Sequence, residues 1–107
     1  MKICVIGTGY VGLVSGVCFS DLGNIVYCVD IDKKKIESLN NGNVPIYEPG
    51  LDEILKRNYK QKRLIFTTDL KNAVNNSDII FGNIYLPITA LFDGAFLMFG
   101  FSITSFI

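Results

Sequence analysis

A run of four apolar residues, Ile3–Ile6, ends in three glycines, Gly7, Gly9 and Gly12, and a second apolar run follows at once: "ICVIGTGYVGLVSGV". A short apolar run bounded by a turn reads as a strand buried on both faces of a parallel sheet. From Tyr10 to Leu22 the pattern is helical, and Gly23-Asn24 supplies the stop. Three physical demands explain the glycines. Gly7 ends the strand in a tight turn where a side chain would clash, Gly9 lets the backbone approach a diphosphate, and Gly12 lets the new helix pack closely on the strand. The opening of that helix, with its free N–H groups and partial positive charge, is then a seat for an anion. Gly16 and Ser20 continue a stripe of small residues from Gly12 down one helix face, as close packing on a sheet requires.

The alternation continues along the chain. Ile25–Val29 is β-rich and ends at Asp30. Asp32–Asn40 reads as a helix with Asp32 as N-cap and with Ile36 and Leu39 facing inward. Pro45–Leu51, "PIYEPGL", is an extended connector, in which Pro49 suits the first turn of the next helix, Leu51–Tyr59. That helix has Asp52 and Glu53 early and Lys56 and Arg57 late, as the helix dipole prefers. Leu64–Thr67 reads as a strand, Asp69–Asn75 as a short helix and Asp78–Phe81 as a fourth strand. The order β-α-β-α-α-β-α-β implies an α/β fold: a Rossmann-like parallel sheet with right-handed crossovers, about four strands in the order 3-2-1-4, and hence a partial one.

A glycine motif alone is a weak signal, but here a strand precedes it, a helix follows it, and a second strand ends in an acid. Asp30 lies 23 residues after Gly7, near the spacing of the acid that receives the adenosine ribose hydroxyls of a dinucleotide. A carboxylate there repels a 2′-phosphate, so NAD is favoured over NADP; FAD stays open on the motif alone. Lys33, Lys34 and Lys35 follow closely, either as a solvated helix face or as charges that soften that repulsion.

Composition bounds the rest. The chain has 107 residues, half of them apolar, and no net charge, which suits one globular core and gives no pull toward nucleic acid. No histidine is present, and Cys4, Cys18 and Cys28 are too widely spaced for a zinc site, so no metal is expected. The three cysteines read as inert buried thiols in a reducing cytoplasm.

"MKICVIGTGYVGLVSGVCFSDLG", "CVDID", "PIYEPGLDEIL" and "RLIFTTDL" together resemble the N-terminal NAD-binding domain of the UDP-glucose 6-dehydrogenases, within the wider UDP-glucose/GDP-mannose dehydrogenase family. The resemblance implies oxidation of the sugar C6 alcohol to a carboxylate with two NAD per turnover. It also implies a cofactor set of Gly7, Gly9, Tyr10, Val11, Gly12, Asp30 and Lys35. Within that set Val11 meets the pyrophosphate through its backbone, Asp30 holds the ribose, and Lys35 lies near the adenosine end.

The resemblance covers residues 1–81, and the chain divides there into an NAD-binding part and a hydrophobic tail, 82–107. Nineteen of the twenty charged residues precede residue 82, and Asp93 alone follows. Leu86 stands where the family has a cofactor-contacting threonine. The sugar-nucleotide domain and the nucleophilic cysteine of the family have no counterpart, so no catalytic residue is assigned and UDP-glucose is expected as a partner only of full-length relatives. The tail has three readings: a shifted frame or gene boundary, a hydrophobic segment packed on the sheet edge, or a tail anchor. Pro87, Asp93 and the lack of a basic flank count against a membrane span. Half a Rossmann sheet also leaves an edge beside strand four that is expected to invite self-association. The alternative to a dehydrogenase portion is a small nucleotide-binding or partner-pairing module without enzymatic activity.

Overall fold

A computed structural model describes residues 1–44, 48–82 and 96–98 of the chain. The elements run β1 (Lys2–Ile6), α1 (Tyr10–Asp21), β2 (Ile25–Val29), α2 (Lys33–Asn40), α3 (Leu51–Lys60), β3 (Leu64–Thr67), α4 (Leu70–Asn75), β4 (Ile79–Gly82) and β5 (Phe96–Met98). All strand pairs are parallel, in the order β3-β2-β1-β4-β5. The expected 3-2-1-4 core is therefore present, and one expectation is corrected: β5 pairs with β4 from Ile79↔Phe96 to Phe81↔Met98, so the edge beside β4 is not bare. The remaining expectations for the tail, and those for Pro45, Ile46 and Tyr47 of the connector, lie outside the described residues.

Period-two alternation sends β1 into two cores. Ile3 and Val5 face a layer built with Leu13 and Val17 of α1, Ile36 and Leu39 of α2, and Leu51 and Leu55 of α3. Cys4 and Ile6 face the other way, onto Ala73 and Val74 of α4 and Ile80 of β4. A strand covered on both sides has no polar face to keep, which is why the run reads as continuously apolar. Each fully buried side chain of this kind contributes roughly 1.5–3 kcal/mol.

Close packing of α1 accounts for its small-residue stripe. Gly12, Gly16 and Ser20 are all buried. A Cβ on Gly16 would stand 2.5 Å from Sγ of Cys28. Buried Asn58 ties α3 to the end of α1, donating to Asp21 at 3.1 Å and accepting from Arg63 Nε at 2.9 Å.

Two local readings change. Helix α3 starts at Leu51 with Gly50 as its N-cap at φ 85°, so Pro49 precedes the helix rather than opening its first turn. Cys18 is exposed, whereas Cys4 and Cys28 are buried as expected. The helical period carries Cys18 off the Gly12–Gly16–Ser20 face.

Candidate functional site

The site begins where β1 runs out. Gly7 takes φ 100°, a left-handed conformation that a side chain would strain, and its N–H donates to the Val29 carbonyl at 2.7 Å. That bond ties the ends of β1 and β2 together. The chain then turns through Thr8 into Gly9, which is the N-cap of α1. The first intrahelical bond runs from Leu13 N–H to the Gly9 carbonyl, 2.9 Å, so the N–H groups of Tyr10, Val11 and Gly12 have no partner within the helix.

The other helices manage this end differently. Asp32 caps α2 by accepting from Lys34 and Lys35 N–H, at 3.1 and 3.3 Å. Asp69 caps α4 by accepting from Asn72 N–H at 3.0 Å. Helix α3 has no side-chain cap but carries Asp52 and Glu53 in its first turn. Only α1, among the described helices, has neither a side-chain cap nor an acid in the first turn. Its positive end is left open to an external anion.

Space for that anion lies at Gly9. A Cβ there would meet nothing within 4 Å, and its φ of −68° is ordinary for any residue. Gly12 is the opposite case: a Cβ would stand 2.0 Å from the Gly7 carbonyl oxygen. The close approach that requires glycine is thus helix against turn backbone, with the strand side chain of Val5 farther off at 3.6 Å.

Asp30 follows β2 directly and is brought to the same end of the sheet. Its Oδ2 accepts from Thr8 N–H at 3.0 Å and from the Thr8 hydroxyl at 2.7 Å, and its Oδ1 accepts from Asp32 N–H at 3.0 Å. Lys35 Nζ lies 3.8 Å from Oδ2. Partial burial raises the Asp30 pKa, but the Thr8 hydroxyl, the Asp32 and Thr8 amides and the Lys35 charge together hold the carboxyl below its ordinary value. All three lysines are exposed, and Lys35 is the one of the run that comes within ion-pair distance of the acid.

All seven residues expected at the site are therefore gathered at the carboxyl ends of β1 and β2. Val11 is half-buried, and Tyr10 is exposed, its hydroxyl donating to the Glu48 carboxylate. That bond, then a smaller loss of hydration and the Glu48 charge, raises the Tyr10 pKa above its ordinary 10.0. Sequence reasoning missed three neighbours. Thr8 is 3% exposed and bonded twice to Asp30, and its place between two glycines does not by itself announce that pairing. Ile31, 89% exposed beside Asp30, interrupts an acidic pair with an apolar side chain. Glu48 meets Tyr10 across 38 positions, and no spacing rule foretells that. Two open clefts, about 540 and 440 Å³, lie at the amino ends of the strands and along β3, and neither includes a residue of this site. Among the described residues the site presents a row of backbone donors and one acid.

Comparison with known proteins bears on this arrangement. Residues 1–91 match the NAD binding domain of the UDP-glucose/GDP-mannose dehydrogenase family. UDP-glucose 6-dehydrogenase TuaD of Bacillus subtilis is 54% identical over 88 residues, 82% of this chain and 19% of that protein. UDP-glucose 6-dehydrogenase of Rhizobium meliloti is 58% identical over 81 residues, 76% of this chain and 18% of that protein. A ternary-complex crystal structure of GDP-mannose dehydrogenase from Pseudomonas aeruginosa superimposes with a TM-score of 0.73 at 42% identity, covering 81% of this chain and 20% of that one. The chain spans about a fifth of the length of these relatives.

Proposed function

The chain belongs to the UDP-glucose/GDP-mannose dehydrogenase family, and on that premise we propose that it seats the adenosine diphosphate part of NAD for the oxidation of UDP-glucose. The N–H groups of Tyr10, Val11 and Gly12 receive the diphosphate, with Gly9 leaving room for it. Asp30 accepts from the adenosine ribose, and exposed Ile31 offers apolar contact to the adenine. Lys35 sets a positive charge at the adenosine end. The observation that carries this reading is the uncapped, acid-free opening of α1 beside an ionised Asp30. It lies next to the point where the chain, after β3, returns to the other side of β1, the crevice in which open α/β sheets take their ligands.

NAD bound there supplies a hydride acceptor for a substrate alcohol. The described residues orient its adenosine half, and the two buried cysteines are poor nucleophiles: burial pushes the Cys4 thiol up to about 12, and burial together with nearby Cys4 pushes Cys28 to about 12. The chain is accordingly expected to bind NAD without turning over UDP-glucose.

Calorimetric titration of the folded chain with NAD and with ADP-ribose tests the reading. Both ligands are expected to give saturable heat that Asp30→Ala weakens at least tenfold. No heat from either ligand, with the chain demonstrably folded, overturns it. Steady NADH production from UDP-glucose would remove the second half of the proposal.

A further inference from the structure

Thr8 occupies a position that dinucleotide binding by backbone amides does not itself require. Its side chain is almost fully buried and carries a hydroxyl that must be satisfied. Both of its donors converge on a single oxygen, Oδ2 of Asp30, at 3.0 and 2.7 Å. Asp32 N–H holds the other oxygen at 3.0 Å. A carboxylate offers about four lone-pair directions. Three are taken here, two of them by Thr8, and Lys35 stands 3.8 Å from the oxygen that Thr8 fills. The acid therefore cannot rotate about its Cβ–Cγ bond without breaking a charge-assisted bond. Its less occupied oxygen, Oδ1, is the one left for a ligand.

We propose that Thr8 is a positioning residue for cofactor specificity: by fixing the plane of the Asp30 carboxylate it presents Oδ1 to the ribose and enforces the preference for a free 2′-hydroxyl over a 2′-phosphate. The inference rests on the NAD reading above and goes beyond it. That reading needs only an acid at position 30, whereas this one assigns discrimination to the residue that aims the acid. Without the hydroxyl only the two backbone N–H bonds hold the carboxylate, so its plane can tilt toward solvent, which lowers the repulsion of a 2′-phosphate and loosens the hold on the ribose hydroxyl. The same pair of bonds joins the turn that receives the diphosphate to the acid that receives the ribose.

The test measures dissociation constants of NAD and NADP for the intact chain and for Thr8→Val, Thr8→Ala and Thr8→Ser, with melting temperatures alongside. Failure of the wild-type chain to bind either dinucleotide overturns the NAD reading and this inference with it. Given wild-type binding, Thr8→Val is expected to shrink the NADP-to-NAD ratio of dissociation constants about tenfold, chiefly by losing NAD affinity. Thr8→Ser, which keeps the hydroxyl, is expected to hold the ratio within about twofold of wild type. Equal weakening toward both dinucleotides, or an unchanged ratio in Thr8→Val, overturns the inference while leaving the NAD reading intact. If Val and Ala both fail to fold while Ser folds, Thr8 is a structural residue and the specificity role is likewise overturned.

Discussion

The Gly7 carbonyl oxygen lies where a Cβ of residue 12 would have to go, at a separation of 2.0 Å. Neither group can yield easily, because one is turn backbone bonded to Val29 and the other belongs to a helix pinned by Leu13 and Val17. Gly12→Ala is therefore expected to lose about 1–3 kcal/mol of stability, the usual cost of overpacking, and to lose ADP-ribose binding with it. Gly9→Ala separates the two effects. Its Cβ meets nothing, so stability should stay within about 0.5 kcal/mol of wild type, while the methyl intrudes on the space kept for the diphosphate. Urea melts and calorimetry on both variants check this. A Gly9→Ala chain that binds like wild type would show that the space at Gly9 is not where the ligand lies.

Gly16 and Cys28 form a second steric pair, with Sγ 2.5 Å from the would-be Cβ. Here the obstacle is a side chain and can be removed. Gly16→Ala should destabilise by about 1–3 kcal/mol. Added to Cys28→Ala, it should cost less than the sum of the two single changes, with a coupling of about 0.5–3 kcal/mol. A double-mutant cycle by urea unfolding measures this, and strict additivity would rule out the contact.

The thiols differ in reactivity because they differ in access. Cys4 and Cys28 are buried, with pKa values pushed up to about 12, whereas Cys18 is exposed. A chromogenic disulfide reagent at mildly alkaline pH should react with one thiol in the folded chain and three in denaturant. Rapid reaction of all three without denaturant would mean that β1 and β2 are not covered on both faces.

Asp30 links stability to acid. Its folded pKa lies below the ordinary 3.8, so its contribution is complete above that value and drains away as the pH falls through the folded pKa. Asp30→Asn should therefore be less stable than wild type at neutral pH, and the gap should close as the pH drops below about 3.8. Melts across that range test the sign; a gap that stays constant or widens in acid would show that the Thr8 and Asp32 donors do not favour the ionised form.

The parallel sheet and the glycine turn that opens the first helix were legible in the sequence, because they depend on local chemistry. A buried strand needs a continuous apolar run, a left-handed turn needs glycine, and a capped helix announces itself with Asp32. These needs act within a few residues, so composition and spacing carry them. Tertiary structure alone decided what meets across the chain: Thr8 against Asp30, Tyr10 against Glu48, Gly16 against Cys28, and β5 along β4. Such pairings depend on where the crossovers bring distant backbone together, which no local spacing encodes. The acid at position 30 could be read from its spacing, but the residue that aims it became visible only once β1 and β2 ended side by side.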